Sequence, residues 1–231
     1  MTSVFGGMAQ LVARLHGMQK VTGSNPVTST EKLGQRPGFF VFGAGSDWLR
    51  IIWYTAMSMD GRIADACDSL GFLDAIGAWQ GSESEFATFL TGIDAIIIGA
   101  ATLRWLLRAG HGWPHGDIPT WLVSHDAMLA TQVGQTAASF TRMEGDLNVA
   151  IDAIKTAGHE CVWLCGGGNV AGQLLALDCI DEVIVTVAPV ALGQGPALFD
   201  APALTERRFG LIACHALNDR TARLHWVRTK S

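Results

Sequence analysis

Cys161-Val-Trp-Leu-Cys-Gly-Gly-Gly-Asn-Val-Ala-Gly172 is the stretch that decides the fold. The apolar run Cys161 to Cys165 predicts a short buried strand, and Asn169 to Leu177 predicts a helix. Three glycines stand between them, where the chain must turn from strand into helix. The first turn of such a helix leaves backbone N–H groups without partners, and its dipole favours an anion there. The stretch therefore reads as a phosphate cradle, or as a helix packed tightly on a sheet with glycine at the turn. A dinucleotide fingerprint is a third reading, because Gly166, Gly168 and Gly172 give G-x-G-x-x-x-G. That fingerprint normally follows a domain's first strand, whereas this stretch lies late in the chain.

Composition bounds the alternatives. A chain of 231 residues with 49% hydrophobic and 16% charged side chains predicts one well-buried globular domain, with or without an appendage. A formal net charge of -5 gives no basic surface for nucleic acid. No apolar run approaches the roughly 18–20 residues that span a bilayer. The five cysteines have no CxxC pair, and the seven histidines show no ligand spacing, so no metal is expected. Most of the cysteines sit in apolar segments, which predicts core thiols in a reducing, cytoplasmic setting.

Working outward, strands and helices alternate. Ile51 to Met57 and Asp94 to Gly99 predict the first two strands. Between them Ser82 and Glu85 form a capping box ahead of Phe86, Phe89 and Leu90. Thr102 to Arg108 predicts a helix, Pro119 to Ser124 a third strand, and Ala138 to Thr141 a fourth. Gly145-Asp146 opens a helix with Leu147, Ala150, Ile151 and Ile154 on one face, and Gly158 closes it. After the glycine turn come a strand from Glu182 to Pro189 and two antiparallel strands, Phe209 to His215 and Ala222 to Val227. The fold class is α/β: a mixed, mostly parallel sheet with helices on both faces.

Residues 1–48 do not conform. They lack a sustained period and carry loop punctuation such as Thr22-Gly-Ser-Asn-Pro26. Their composition superficially fits a transit peptide. Ala9-Gln-Leu-Val-Ala-Arg14 followed by Gly23-Ser-Asn-Pro26 fits better the conceptual translation of a transfer-RNA gene. The expectation is an extension without function, upstream of a folded unit at 49–231.

Four motifs stand in order: Thr55-Ala-Met-Ser-Met-Asp-Gly61, Gly99-Ala-Ala-Thr102, Leu164-Cys-Gly-Gly-Gly-Asn169, and Val187-Ala-Pro-Val-Ala-Leu-Gly-Gln-Gly-Pro-Ala-Leu-Phe199. This set resembles the dihydrofolate-reductase-like family, and within it the C-terminal reductase domain of the riboflavin-biosynthesis protein RibD and its stand-alone relatives. The resemblance covers about residues 50–228 and does not include the His-x-Glu and Pro-Cys-x-x-Cys signature of a zinc deaminase. It implies NADPH as cofactor and reduction of a small heterocycle by hydride transfer, of the 5-amino-6-(5-phosphoribosylamino)uracil reductase type. It further implies that Ala56 and Met57 line the nicotinamide, and that Asp60 and Gly61 lie in a loop closing over cofactor and substrate. Gly99 and Thr102 correspond to a phosphate-binding turn. Gly166, Gly167, Gly168, Asn169 and Val170 fall at the pyrophosphate and ribose, and Ser124 at the adenosine end. Family members often dimerise, and the apolar C-terminal strands suit a homodimer.

The departures bear on substrate and cofactor. An Asp-Pro pair near the substrate's sugar phosphate is replaced here by Leu103 to Arg108 and His111-Gly-Trp-Pro114. Ala100 stands where dihydrofolate reductases often place an arginine for the 2′-phosphate, leaving Arg104 or His125 as substitutes. Glu83 and Glu85 lie on the helix that carries the pterin-binding carboxylate in dihydrofolate reductases. Each is explained equally by first-turn charge or capping. Asp60 is a candidate catalytic acid or a simple turn former. A pterin reductase and a nucleotide-binding protein without turnover are the competing readings.

Overall fold

Strands form where β-branched and aromatic residues run together, and here those runs alternate between two apolar faces. The computed structural model describes residues 49–77, 82–110, 113–116, 118–202 and 204–229. The 1–48 extension lies outside the described residues.

Eight strands make one sheet: β1 (Arg50–Ser58), β2 (Ala95–Gly99), β3 (Thr120–Val123), β4 (Phe140–Met143), β5 (Cys161–Gly166), β6 (Glu182–Ala188), β7 (Phe209–Ala216) and β8 (Ala222–Arg228). Their order is β4-β3-β2-β5-β1-β6-β8-β7. The first six are mutually parallel, while β8 pairs antiparallel with both β6 and β7. Among the described residues four α-helices cover the sheet: α1 (Ser82–Leu90), α2 (Ala100–Arg108), α3 (Leu147–Thr156) and α4 (Gly168–Ala176).

Strand residues alternate strictly between two cores, as a two-sided sheet requires. Ile51 and Trp53, Ala95 and Ile97, Val162 and Leu164 pack with Leu147, Ile151 and Ile154 of α3 and with Val170 and Leu174 of α4. Ile52, Ile96, Ile98 and Trp163 face the other way, against Phe86 of α1 and Leu103 and Leu106 of α2. α1 and α3 present the faces expected from their spacing. Asp146 caps α3 by accepting from the Asn148 N–H at 2.9 Å, and Gly158 follows it at φ +84°.

The structure departs from the sequence reading at element ends. α2 begins at Ala100, two residues before the expected start, because Gly99 already serves as its N-cap. β4 runs from Phe140 to Met143 rather than from Ala138, since a 3-10 segment occupies Ala130–Ser139. A second 3-10 turn, Gly71–Ile76, lies in the expected loop after β1 and buries Leu73 and Ile76. A 3-10 winding turns every three residues and so does not carry the 3.6-residue period, and the Ala130–Ser139 segment is also broken by a kink at Gly134.

At the amino ends of β1 and β6, Glu182 accepts from Arg50 Nε at 2.6 Å and pairs with His225 Nε2 at 2.8 Å. Burial alone would raise this carboxyl, but the hydrogen bonds from His225 and Arg50 overcome it and hold the group below the usual range. A depressed carboxyl contributes stability above its unfolded pKa, near 4.3, and that stability is lost as pH falls through the folded value. Glu182→Gln is therefore expected to cost about 1–3 kcal/mol at neutral pH. It should also flatten the acid limb of the stability curve, measured by urea unfolding at stepwise lower pH.

Candidate active site

Pairing between β1 and β5 runs from Arg50↔Cys161 to Trp53↔Leu164 and then stops, although β1 continues to Ser58 and β5 to Gly166. The Tyr54 carbonyl, the next group in line, accepts from the Trp163 indole at 3.1 Å. Beyond this point the two strands separate and a crevice opens. It encloses about 360 Å³, counting its solvent-open mouth, and is lined by Trp53, Thr55, Ala56, Thr102 and Cys165–Gly167, with Ile63, Leu70 and Leu73 closing it. β2 and β5 are neighbours, yet α2 and α4, which follow them, pack on opposite faces. The crevice thus lies at the carboxyl ends of the strands at a topological switch point, the place where open α/β sheets bind ligands.

Two helix N-termini meet there. Gly99 caps α2 and Gly167 caps α4, neither with a side-chain hydrogen bond. A Cβ on Gly99 would lie 2.9 Å from Val170 Cγ2 and 3.4 Å from the Gly167 nitrogen, so the two turns touch. One on Gly166 or Gly167 would stand 3.2 or 3.1 Å from the Thr102 hydroxyl. One on Gly168 would lie 2.1 Å from the Ala197 carbonyl oxygen. The glycines are therefore required first by chain-to-chain packing, which joins both open readings of this stretch: tight packing is what brings the two N-termini together.

The residues present fit a dinucleotide. Thr102 is 9% exposed, lines the crevice, and its hydroxyl has no hydrogen-bond partner among the described residues. The indole N–H of Trp53, also in the lining, is buried and has no hydrogen-bond partner among the described residues. Together with two uncapped helix N-termini, these make a donor set suited to a diphosphate and a carboxamide.

The expected site residues divide by face. Ala56, Thr102, Gly166 and Gly167 come together in the crevice. Met57, adjacent to Ala56, points to the opposite core, as strand alternation demands. Val170 is likewise a core residue packed against Gly99. Asn169 is exposed and bonds Gln173 Nε2 at 2.7 Å. Ser124 lies at the carboxyl end of β3, where its hydroxyl accepts from the Asp126 N–H at 3.0 Å. Gly61 takes φ +76° in the turn after β1, and its carbonyl accepts from Leu198 N–H at 2.9 Å.

Asp60 acts as a tie. It accepts from Ser58 Oγ at 2.5 Å, from Leu192 N–H at 3.0 Å and from Gly193 N–H at 2.6 Å. These bonds, the Ser58 hydroxyl first, hold its carboxyl well below the usual range. A carboxylate so engaged joins the loop after β1 to the loop after β6 and is a poor proton donor at neutral pH.

Glu83 lies outside the residues whose side chains are described. Glu85 pairs with Arg223 of β8 at 2.6 Å. Arg223 also reaches Thr186 Oγ1 at 3.3 Å and stacks 5.2 Å from the Tyr54 ring centre. Tyr54 shares its strand face with Ala56, so this polar cluster stands beside the crevice on the β6 side. Arg223 was not legible as a site residue, because only the antiparallel return of β8 brings it across from α1. Burial pushes the Cys165 thiol up to about 12 and the Cys161 thiol up to about 11, as expected of core residues and not of nucleophiles.

Comparison with known proteins follows this geometry. The model of the RibD C-terminal domain matches residues 107–222, half of the chain. The chain belongs to the RibD C-terminal domain family. An uncharacterised protein of Bacillus subtilis, YwjB, is 26% identical over 65% of this chain and 82% of its own length. The crystal structure of a candidate riboflavin biosynthesis protein from Shewanella sp. PV-4 covers 79% of this chain and all of its own, at 24% identity and a TM-score of 0.70. A Thermotoga maritima diaminohydroxyphosphoribosylaminopyrimidine deaminase/5-amino-6-(5-phosphoribosylamino)uracil reductase covers 79% of this chain and 57% of its own, at 14% identity and a TM-score of 0.59. The fold is the expected dihydrofolate-reductase-like one. No helix among the described residues is long and apolar enough to cross a membrane.

Two substitutions test this geometry. Gly168→Ala must displace the Ala197 carbonyl and is expected to cost about 1–3 kcal/mol, read by thermal unfolding. Asp60→Ala should leave the fold intact while the amides of Leu192 and Gly193 exchange hydrogen faster than in the parent protein.

Proposed function

We propose that the protein is a reductase that takes hydride from a nicotinamide dinucleotide, NADPH by family resemblance, and delivers it to a small heterocycle of the aminopyrimidine type. The observation that carries the reading is the crevice between β1 and β5, with two uncapped helix N-termini and the unpartnered Thr102 hydroxyl opening into it. Membership of the RibD C-terminal domain family supports the reaction class.

The bound cofactor supplies the hydride; the chain supplies position. The N-termini of α2 and α4 and Thr102 hold the diphosphate, and Ala56 leaves room beside β1 for a flat ring. Ile63, Leu70 and Leu73 exclude water from one side. The acceptor lies against the Ala56 and Tyr54 face, within reach of the Glu85–Arg223 pair. This pair also weighs against a pterin reductase, whose reading wants a carboxylate for the pterin ring, whereas Glu85 is engaged by a guanidinium.

The experiment is a fluorescence titration with NADPH, followed by turnover assays with 5-amino-6-(5-phosphoribosylamino)uracil and with dihydrofolate. Micromolar binding and oxidation with the pyrimidine are expected. Binding with no oxidation by either substrate favours a nucleotide-binding protein without turnover, and no binding defeats both.

A homodimer belongs to the same proposal. β7 is an edge strand whose Leu211 and Ile212 are 55% and 58% exposed. Light scattering should give twice the 24.6 kDa chain mass, and Ile212→Lys should return the monomer.

A further inference from the structure

On the reading proposed above, the nicotinamide end lies with Ala56 in the β1–β5 crevice and the diphosphate with the N-termini of α2 and α4, which follow β2 and β5. Running on in that direction, the next strands are β3 and β4. The adenosine half therefore meets the carboxyl ends of those strands, at Ser124 to Asp126 and Met143 to Glu144.

The basic side chains bounding this end are Arg104 of α2, His125 and Arg142 of β4. Arg108 stands one turn further along α2, away from the carboxyl edge. Both nearer arginines carry an acid. Arg104 Nη2 lies 3.1 Å from Asp126 Oδ2, and Arg142 Nη1 lies 2.6 Å from Glu144 Oε2. Arg142 also donates to the Ser124 carbonyl at 3.3 Å, and His125 Nδ1 is 3.9 Å from the other Glu144 oxygen. The Met128 N–H holds the second oxygen of Asp126 at 3.0 Å. Arg104 keeps the Asp126 carboxyl below its usual range, and Arg142 does the same for Glu144, so both are anionic at neutral pH. Ala100 and Asn169, at the two helix starts, add no cation.

Dinucleotide sites separate their cofactors at this position: a carboxylate accepts the ribose 2′-hydroxyl of NADH, and an arginine accepts the 2′-phosphate of NADPH. Here each arginine is matched by a carboxylate. We infer that Asp126 and Glu144 are specificity-determining residues that neutralise Arg104 and Arg142 and let the protein accept NADH about as readily as NADPH. A 2′-phosphate would have to displace a carboxylate from its arginine and then stand beside that carboxylate. A 2′-hydroxyl meets neither obstacle. The pairs are solvent-exposed, so the effect is a levelling of preference and not an exclusion of NADPH.

This inference rests on the nicotinamide reading proposed above. Its test is equilibrium titration of the full chain with NADH and with NADPH, read by cofactor fluorescence at fixed ionic strength. The same titrations are made on the surface variant Asp126→Asn/Glu144→Gln. In the parent protein the two dissociation constants should agree within about tenfold, and in the variant their ratio should move at least about threefold toward NADPH. A larger parent preference for NADPH overturns the inference, and so does a ratio that the variant moves less. Failure of both cofactors to bind the parent protein defeats the nicotinamide reading itself, and the inference with it.

Discussion

The structure depends on the place where β1 and β5 stop sharing hydrogen bonds. Two parallel strands in the middle of an eight-stranded sheet would ordinarily stay paired to their ends, because a buried carbonyl without a donor is costly. Here the Trp163 indole takes the Tyr54 carbonyl just past the last paired residues. That one substitute donor satisfies the first carbonyl beyond the paired residues, where the strands separate. The proposed site is arranged around the opening: the small Ala56 on one side, the glycine turn on the other, and two helix starts beside them.

Packing density then explains why glycine dominates the rim. Thr102, Val170 and the Ala197 carbonyl stand so close to Gly167, Gly99 and Gly168 that a methyl group at any of these glycines would press on a neighbour. The N-termini of α2 and α4 reach the same spot because no side chain holds them apart. On the proposed reading, cofactor affinity and core packing are consequently not separable at this site, because the same atoms would decide both.

Much of the fold was legible in the sequence because it is written in local patterns. The β-rich run Ile51 to Met57 and the Asp146 cap declare their elements within a few residues. So did the glycine turn, and the order of the four motifs pointed to the fold family. What was not legible depends on distance along the chain. Nothing near Glu85 announces Arg223, which arrives from the last strand. Nothing near Arg104 announces that Asp126 will claim it. Met57 differs for another reason: a motif names adjacent residues, but a strand sends neighbours to opposite faces, and Met57 packs into the first core while Ala56 lines the crevice. Asp60 was open between a site residue and a turn former, and its ties to the distant Leu192 and Gly193 amides are ones that no side-chain pattern reveals.

The bonds of Asp60 carry a consequence for how such proteins diversify. The segment after β1 and the segment after β6 come from distant parts of the gene, yet one carboxylate fastens them together, and Leu198 and Ile63 add backbone links across the same seam. A change in the length or sequence of either segment alone breaks a fit that the other was shaped for. Transplanting either segment from a relative thus means moving both as a matched set. In recombination terms they are one inherited unit, although 132 residues separate Asp60 from Leu192 in the chain.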